Sequence, residues 1–159
     1  MYSRTVWFLT VCSCLATGCG GSPSAPTEPG PSPGTVFRQG TIEIQQTFAF
    51  DLDTGYVPTM LQDGGDVWFN AVTDTDRYLT PMYWDRAALA VWGQTDPGYA
   101  GCASAALGQT DVPIQSLSPG LYLCVRTSED RVAVLRVIEP PGPSARSATI
   151  DLGYTVYNK

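Results

Sequence analysis

The sequence predicts an all-β protein, a small single-domain β-sandwich or barrel with one short helix. Apolar residues recur at every second position in several segments, and turn-forming Gly, Pro, Asp and Ser separate those segments. Helical spacing is confined to one short stretch, residues 99–107. Because residues 1–34 differ in composition from the rest, about 120 residues remain for one domain with a modest core.

The predicted strands follow one another with turn signals between them. The clearest is the first, where Ile42, Ile44, Phe48, Phe50 and Leu52 share one face. The best hairpin joins the fourth and fifth strands through Ser128, Glu129 and Asp130. In chain order, the predicted strands cover residues 41–52, 66–73, 87–92, 121–127, 131–138 and 149–157.

The charge and the residue types exclude several classes of function. Nine Lys and Arg stand against fifteen Asp and Glu, a net charge of -6, so no basic stripe is available for phosphates. We therefore expect no binding of nucleic acid. The chain contains no histidine, which removes Ser-His-Asp and Cys-His catalysis and leaves a four-ligand zinc site poorly supported. We expect no metal site and no cofactor.

The N-terminus has the parts of an export signal. Arg4 precedes an apolar run over residues 6–15, which is too short to span a bilayer, and Ala16, Thr17 and Gly18 lead to Cys19. This resembles the lipobox of bacterial lipoproteins, with alanine at the position where leucine is usual. The resemblance implies a signal peptide over residues 1–18 and a diacylglyceryl thioether on Cys19. Lipidation at Cys14, or an ordinary signal peptide with an incidental cysteine, are the alternatives.

A tether follows the lipidation site. Residues 20–34 are rich in Pro, Ser and Gly and contain no aromatic residue, so they cannot form a core. An extended chain of this kind holds a domain up to roughly 45 Å from the lipid. The predicted organisation is signal peptide 1–18, lipidated tether 19–34 and β domain 35–159. We expect the domain in the cell envelope outside the cytoplasm. If the host has an outer membrane, we expect the protein there, because Gly20 stands where an aspartate retains lipoproteins in the inner membrane of enteric bacteria.

The cysteine count agrees with this organisation. Of five cysteines, Cys12 and Cys14 leave with the signal and Cys19 takes lipid, so Cys102 and Cys124 remain. They form either a bridge, worth roughly 3 kcal/mol for its loop, or two buried thiols. Residues 120–137 resemble the GxYxCVRT hairpin of a small exported bacterial β module. That resemblance spans residues 65–157 and implies a β fold with a Cys102–Cys124 disulfide, and no established activity comes with it.

Two acidic patterns have ordinary explanations. Asp53, Thr54 and Gly55 match the three-residue loop of aspartic proteases, but that enzyme needs a second loop and Tyr56 stands where a small residue is usual. We expect a tight turn there. The alternating acids, Asp51 with Asp53 and Asp74 with Asp76, lack the remaining spacing of a calcium loop, so we expect solvated turns.

We also expect Arg126 to pair with Glu129 or Asp130.

Aromatic residues are the best candidates for ligand binding. Tyr83, Trp84 and Tyr99 lie among turn-forming residues, which favours exposed rings that stack on sugars or anchor a partner. Trp68 and Trp92 lie on apolar strands and are expected in the core. The sequence thus favours a non-catalytic binding domain for a cell-envelope glycan or protein. An envelope structural or assembly subunit is the alternative, and a carboxylate-dependent hydrolase is a weaker one.

Overall fold

Two antiparallel β-sheets form the fold in the computed structural model, which describes residues 30, 32–57, 65–142 and 148–159. The all-β prediction is confirmed, and the arrangement is sandwich-like. The predicted signal peptide, Cys19 and most of the tether lie outside the described residues.

The described part of the chain contains nine strands and one α-helix. The first sheet has the order β1-β9-β8-β7-β5, and the second has the order β2-β3-β4-β6. In chain order the elements are β1 Val36–Gln45, β2 Ala49–Phe50, β3 Val67–Ala71, β4 Arg77–Pro81, β5 Ala88–Gly93, α1 Gly98–Ser104, β6 Val112–Pro113, β7 Tyr122–Arg126, β8 Val132–Glu139 and β9 Thr149–Tyr157.

The chain changes sheets between β1 and β2. We expected one continuous strand over residues 41–52, and this was wrong. Gln46 donates its N–H to Ala148 beside the first sheet, while Thr47 donates to Phe69 of the second, with a positive φ of 74° at Thr47. The alternation still predicted burial correctly, because Ile44, Phe50 and Leu52 are fully buried. Because of this break, apolar residues from the one predicted face lie in both sheets, Ile44 in β1 and Phe50 in β2.

The core lies between the two sheets. Leu123 of β7, Leu135 of β8 and Ile150 of β9 meet Phe69 and Leu79 of the second sheet in one cluster. Each of these side chains is fully buried. Burying a side chain of this size contributes about 1.5–3 kcal/mol, so this cluster supplies the main stabilisation of the sandwich.

Helix α1 lies on the outer face of the first sheet, where a disulfide holds it. Cys102 of α1 is bonded to Cys124 of β7, which confirms the predicted bridge. Both cysteines are fully buried and pack with Val134 of β8. A helix of seven residues is not stable alone in water, so the bond and this packing are what keep it in place. No helix in the described part of the chain is long and apolar enough to span a bilayer.

The sequence missed two strands and misjudged the length of the helix. Strand β4 was not predicted because Arg77 begins it and Pro81 ends it, although all five of its residues pair with β3. Strand β6 has two residues, too few for a visible period. The helix ends at Ser104 rather than at residue 107. The two other helical turns are of the 3-10 type, Tyr83–Asp85 and Ile114–Ser116.

Candidate functional site

The outer face of the first sheet is divided into a covered part and an open part. Side chains alternate along β8, so Ala133, Leu135 and Val137 enter the core while Val134 and Arg136 face outward. Helix α1 covers Val134, which packs with the disulfide-bonded Cys102 and Cys124. We call these three residues the disulfide cluster. Beyond the helix, Arg136 is exposed. The candidate site lies next to the part of the sheet that α1 covers.

An open groove of about 390 Å³ occupies this uncovered part of the face. We call it the outer groove. Tyr122 of β7 and Tyr157 of β9 belong to its wall, and both are half-buried because they also pack against the cluster beneath α1. Its lining residues are Gln39, Gly40, Thr41, Asp96, Tyr122, Val134, Arg136, Gly153, Tyr154, Thr155 and Tyr157.

Gly153 leaves room in the middle of the groove. It is the β9 partner of Arg136 on β8 and of Thr41 on β1. A Cβ at Gly153 would have its nearest contacts at 3.8 Å and 3.9 Å, from Ile138 and Arg136. These are ordinary contact distances, so a side chain fits on the backbone there and would project over the sheet. The glycine therefore keeps the groove open without being required by the fold.

The groove carries one cationic and one acidic side chain. Arg136 makes no salt bridge within the described ranges, where both salt bridges involve Arg131. Asp96 accepts a hydrogen bond of 2.8 Å from the Gly98 N–H through Oδ1. Partial burial, together with the charge of Asp96, raises the pKa of the Tyr157 hydroxyl above its usual 10.0. Tyr157 therefore keeps its proton at neutral pH and can donate a hydrogen bond.

The three aromatic residues predicted from the sequence do not lie together in this groove. Tyr99 is on α1 and half-buried, edge to face against Tyr157 with ring centroids 5.6 Å apart. Trp84 lies in the 3-10 turn, is 44% exposed, and meets Trp68 edge to face at 6.3 Å. The side chain of Tyr83 is outside the described residues. Of the two whose side chains are described, Tyr99 adjoins the outer groove, through Tyr157, and Trp84 does not line it.

The expectation that both strand tryptophans are core residues was wrong for Trp92. Its side chain is 45% exposed. The register of β5 against β7 shifts between Val91 and Gly93, and this irregularity leaves Trp92 out of the ladder. Its indole lies against α1 at Gly101, where a Cβ would come within 3.3 Å of the ring. Trp68 is partly buried against Ala49 and Met82.

A second group of polar residues lies at the end of the sandwich near the β7–β8 turn. One carboxylate oxygen from each of Asp51, Asp53 and Asp66 falls within 4.8 Å of the others, and we call these residues the aspartate cluster. The sequence did not predict it, because Asp66 is separated from the other two by a chain segment whose path only the fold determines. Asp53, Thr54 and Gly55 form the predicted turn, in which Gly55 has a φ of 73°.

Asp66 connects three parts of the chain. Its Oδ2 accepts a hydrogen bond of 2.8 Å from the Leu52 N–H, and its Oδ1 accepts one of 2.6 Å from the Ser128 N–H in the β7–β8 turn. Its own carbonyl accepts from Met82 N–H at 2.9 Å. Burial raises the pKa of the Asp66 carboxyl from 3.8 to about 7, although the two backbone donors lower it.

Arg131 supplies the positive charge next to this cluster. Its Nη1 donates to Asp53 Oδ1 at 2.9 Å and also to Glu129, while its guanidinium lies 4.0 Å from the centre of the Phe37 ring. We expected Arg126 to pair with Glu129 or Asp130, but Glu129 pairs with Arg131, and Arg126 forms no salt bridge among the described residues. Burial raises the pKa of Asp53 too, while Thr127 and Arg131 oppose the rise.

The geometry of the cluster suits a structural role better than catalysis or metal binding. Both Asp66 oxygens accept backbone hydrogen bonds, and the residue is fully buried. Both Asp51 oxygens accept hydrogen bonds from the turn, from Asp53 and Thr54. A cation would compete with Arg131 for Asp53, and a general acid needs a path to its substrate that a fully buried carboxyl lacks.

Comparison with protein-family models, with curated proteins and with solved structures finds no match.

The raised pKa of Asp66 predicts that acidification stabilises the domain. Between about pH 4 and about pH 7 the folded state holds a proton on Asp66 that the unfolded state has lost. The free energy of unfolding should therefore fall as the pH rises through this window and level off above it. Urea denaturation at closely spaced pH values measures this, and Asp66→Asn should remove the Asp66 contribution to the slope. That variant should also lose about 1–3 kcal/mol at pH 5, because its amide nitrogen meets a backbone N–H.

Asp74→Asn is the matched control, because Asp74 is exposed in the turn between β3 and β4. Its stability curve should run parallel to that of the parent protein. If the Asp66→Asn curve runs parallel as well, the carboxyl is not the group that titrates.

Proposed function

We propose that this chain is a lipid-anchored protein of the cell envelope whose β domain binds a neutral saccharide unit of an envelope glycan in the outer groove, without catalysis. The observation that carries the proposal is the groove of about 390 Å³ with Tyr122 and Tyr157 in its wall and Gly153 at its centre. It is an open site on a rigid sheet, and its backbone is held by the ladders of β1, β9, β8 and β7.

The lining of the groove matches the chemistry of a sugar. A pyranose has apolar C–H faces and a rim of hydroxyls, so it needs aromatic surface next to a few fixed donors and acceptors. Tyr122 and Tyr157 supply the aromatic surface. Around them Arg136 donates, Asp96 accepts, and Gln39 and Thr155 can do either.

The charge of the groove favours a neutral sugar over an acidic one. Arg136 and Asp96 offset each other, so the groove has no net charge from its ionised side chains. The whole chain has a net charge of -6, which repels a polyanion at long range. Sugar hydroxyls can accept a hydrogen bond from Arg136 and donate one to Asp96. The carboxylate of an acidic sugar would instead be repelled by Asp96.

The anchoring part of the proposal is supported by the N-terminal sequence. An apolar run ends in Ala16, Thr17 and Gly18 directly before Cys19, and a stretch rich in Pro, Ser and Gly follows. An acidic domain does not adhere to anionic lipid by itself, so it needs such an anchor to stay in the envelope.

A substitution that fills the groove tests the binding site. Gly153→Leu should reduce affinity for the saccharide at least about tenfold, because its side chain occupies the groove while its Cβ fits on the backbone. The measurement is a glycan array carrying neutral and acidic oligosaccharides, followed by titration calorimetry with the best ligand. The parent protein should prefer neutral sugars.

Gly108→Leu is the matched control, since a Cβ there meets only Thr110 at 3.9 Å and the residue does not line the groove. Trp84→Ala and Tyr99→Ala report on the aromatic residues predicted from the sequence. Undiminished binding by a folded Gly153→Leu protein, or loss of binding through Trp84→Ala alone, would place the site elsewhere.

The anchor has its own test, independent of any ligand. The parent protein expressed in a lipoprotein-processing bacterium should fractionate with membranes, and Cys19→Ser should leave it in the soluble fraction because the thiol that takes the lipid is gone. Cys14→Ser is the control and should leave the membrane fraction unchanged. Mass analysis should find a lipidated N-terminal Cys19, and an unmodified mature N-terminus at another residue would refute the assignment.

A further inference from the structure

Arg77 is a buried arginine that makes one side-chain hydrogen bond to the described residues. It is 2% exposed and starts β4 on the same face as Leu79, which is in the core. Its Nη2 donates a hydrogen bond of 2.7 Å to the carbonyl of Gly142. Its Nε and Nη1 are buried and have no hydrogen-bond partner in the part of the chain that the structure describes. An arginine in this position is strongly desolvated and is stabilised by whatever anion can reach it.

No carboxylate of the described residues pairs with Arg77, since the salt bridges there involve Arg131. Residues 143–147, which follow Gly142, contain no Asp or Glu. At the other end of β4, Pro81 pairs with Val67, and Gly65 lies against Met82. Among the described residues, Arg77 therefore has no carboxylate partner.

Arg77 borders a cleft of about 290 Å³ at this end of the sandwich. Ile114 and Leu117 form its buried apolar side, and Pro140 and Pro141 form a half-buried side. Gln115 is exposed at the cleft, so the cleft communicates with solvent. The lining therefore combines one cationic group with four apolar residues.

We propose that this cleft binds a small monocarboxylate with an apolar body. The carboxylate pairs with the positive charge of the Arg77 guanidinium, which borders the cleft, and the apolar body lies against Ile114, Leu117 and the two prolines. This site is separate from the outer groove, because it is built on β4 of the second sheet and shares no lining residue with it. It does not depend on saccharide binding.

Benzoate is the probe, because it joins one carboxylate to a flat apolar ring small enough for the cleft. In ¹H–¹⁵N spectra of the mature protein, benzoate should shift the amides of Gln115, Leu117 and Gly142 saturably. Benzamide, which has the same shape without the charge, should bind at least about tenfold more weakly. Sulfate, which has charge without an apolar body, should also bind more weakly.

Arg77→Met should weaken benzoate binding at least about tenfold, and Arg126→Met is the matched control because it removes the same charge from an exposed position. Should Arg77→Met fail to fold, the comparison of benzoate, benzamide and sulfate on the parent protein decides the matter alone. The proposal is overturned if benzoate produces no saturable shifts, if the shifts lie away from these amides, if either comparison compound binds equally well, or if folded Arg77→Met binds benzoate unchanged.

Discussion

The Cys102–Cys124 disulfide determines what the outer face of the first sheet can do. It fixes a helix of seven residues, too short to be stable alone, on the strands β7 and β8. The helix covers Val134 and leaves Arg136 and Gly153 open beside it. Tyr122 and Tyr157 pack against the disulfide cluster and also border the groove. The proposed binding surface is therefore an extension of the same packing that anchors the helix.

A second constraint holds the two sheets together at the end near the β7–β8 turn. The Asp66 carboxylate accepts hydrogen bonds from Leu52 and Ser128, which follow strands of different sheets. The neighbouring Asp53 is paired with Arg131. Burial makes the ionised form of Asp66 unfavourable and the two N–H donors make it tolerable, and the balance leaves its pKa near neutrality, at about 7. The connection between the sheets is thus sensitive to pH, whereas the disulfide is not.

Much of the fold could be predicted from local pattern, and little of the site could. The alternation of apolar residues predicted both bounds of β9, Thr149 and Tyr157. It also placed Ile150 and Leu152 in the core, because a half-buried strand has a period of two. Strand β4 was missed because Arg77 faces the interior, where a charged side chain breaks that pattern. The outer groove joins residues from four strands and a loop, which only the register brings together. The alternation that buried Leu135 did imply an outward Arg136, and this was the available signal.

The most direct test of the outer groove is a map of the amides that respond to the bound saccharide. The best neutral ligand, titrated into the isotopically labelled protein, should shift the amides of Thr41, Arg136, Gly153 and Thr155, which lie on three adjacent strands of the first sheet. Shifts confined to the turn that contains Trp84, or absent from β9, would contradict the account.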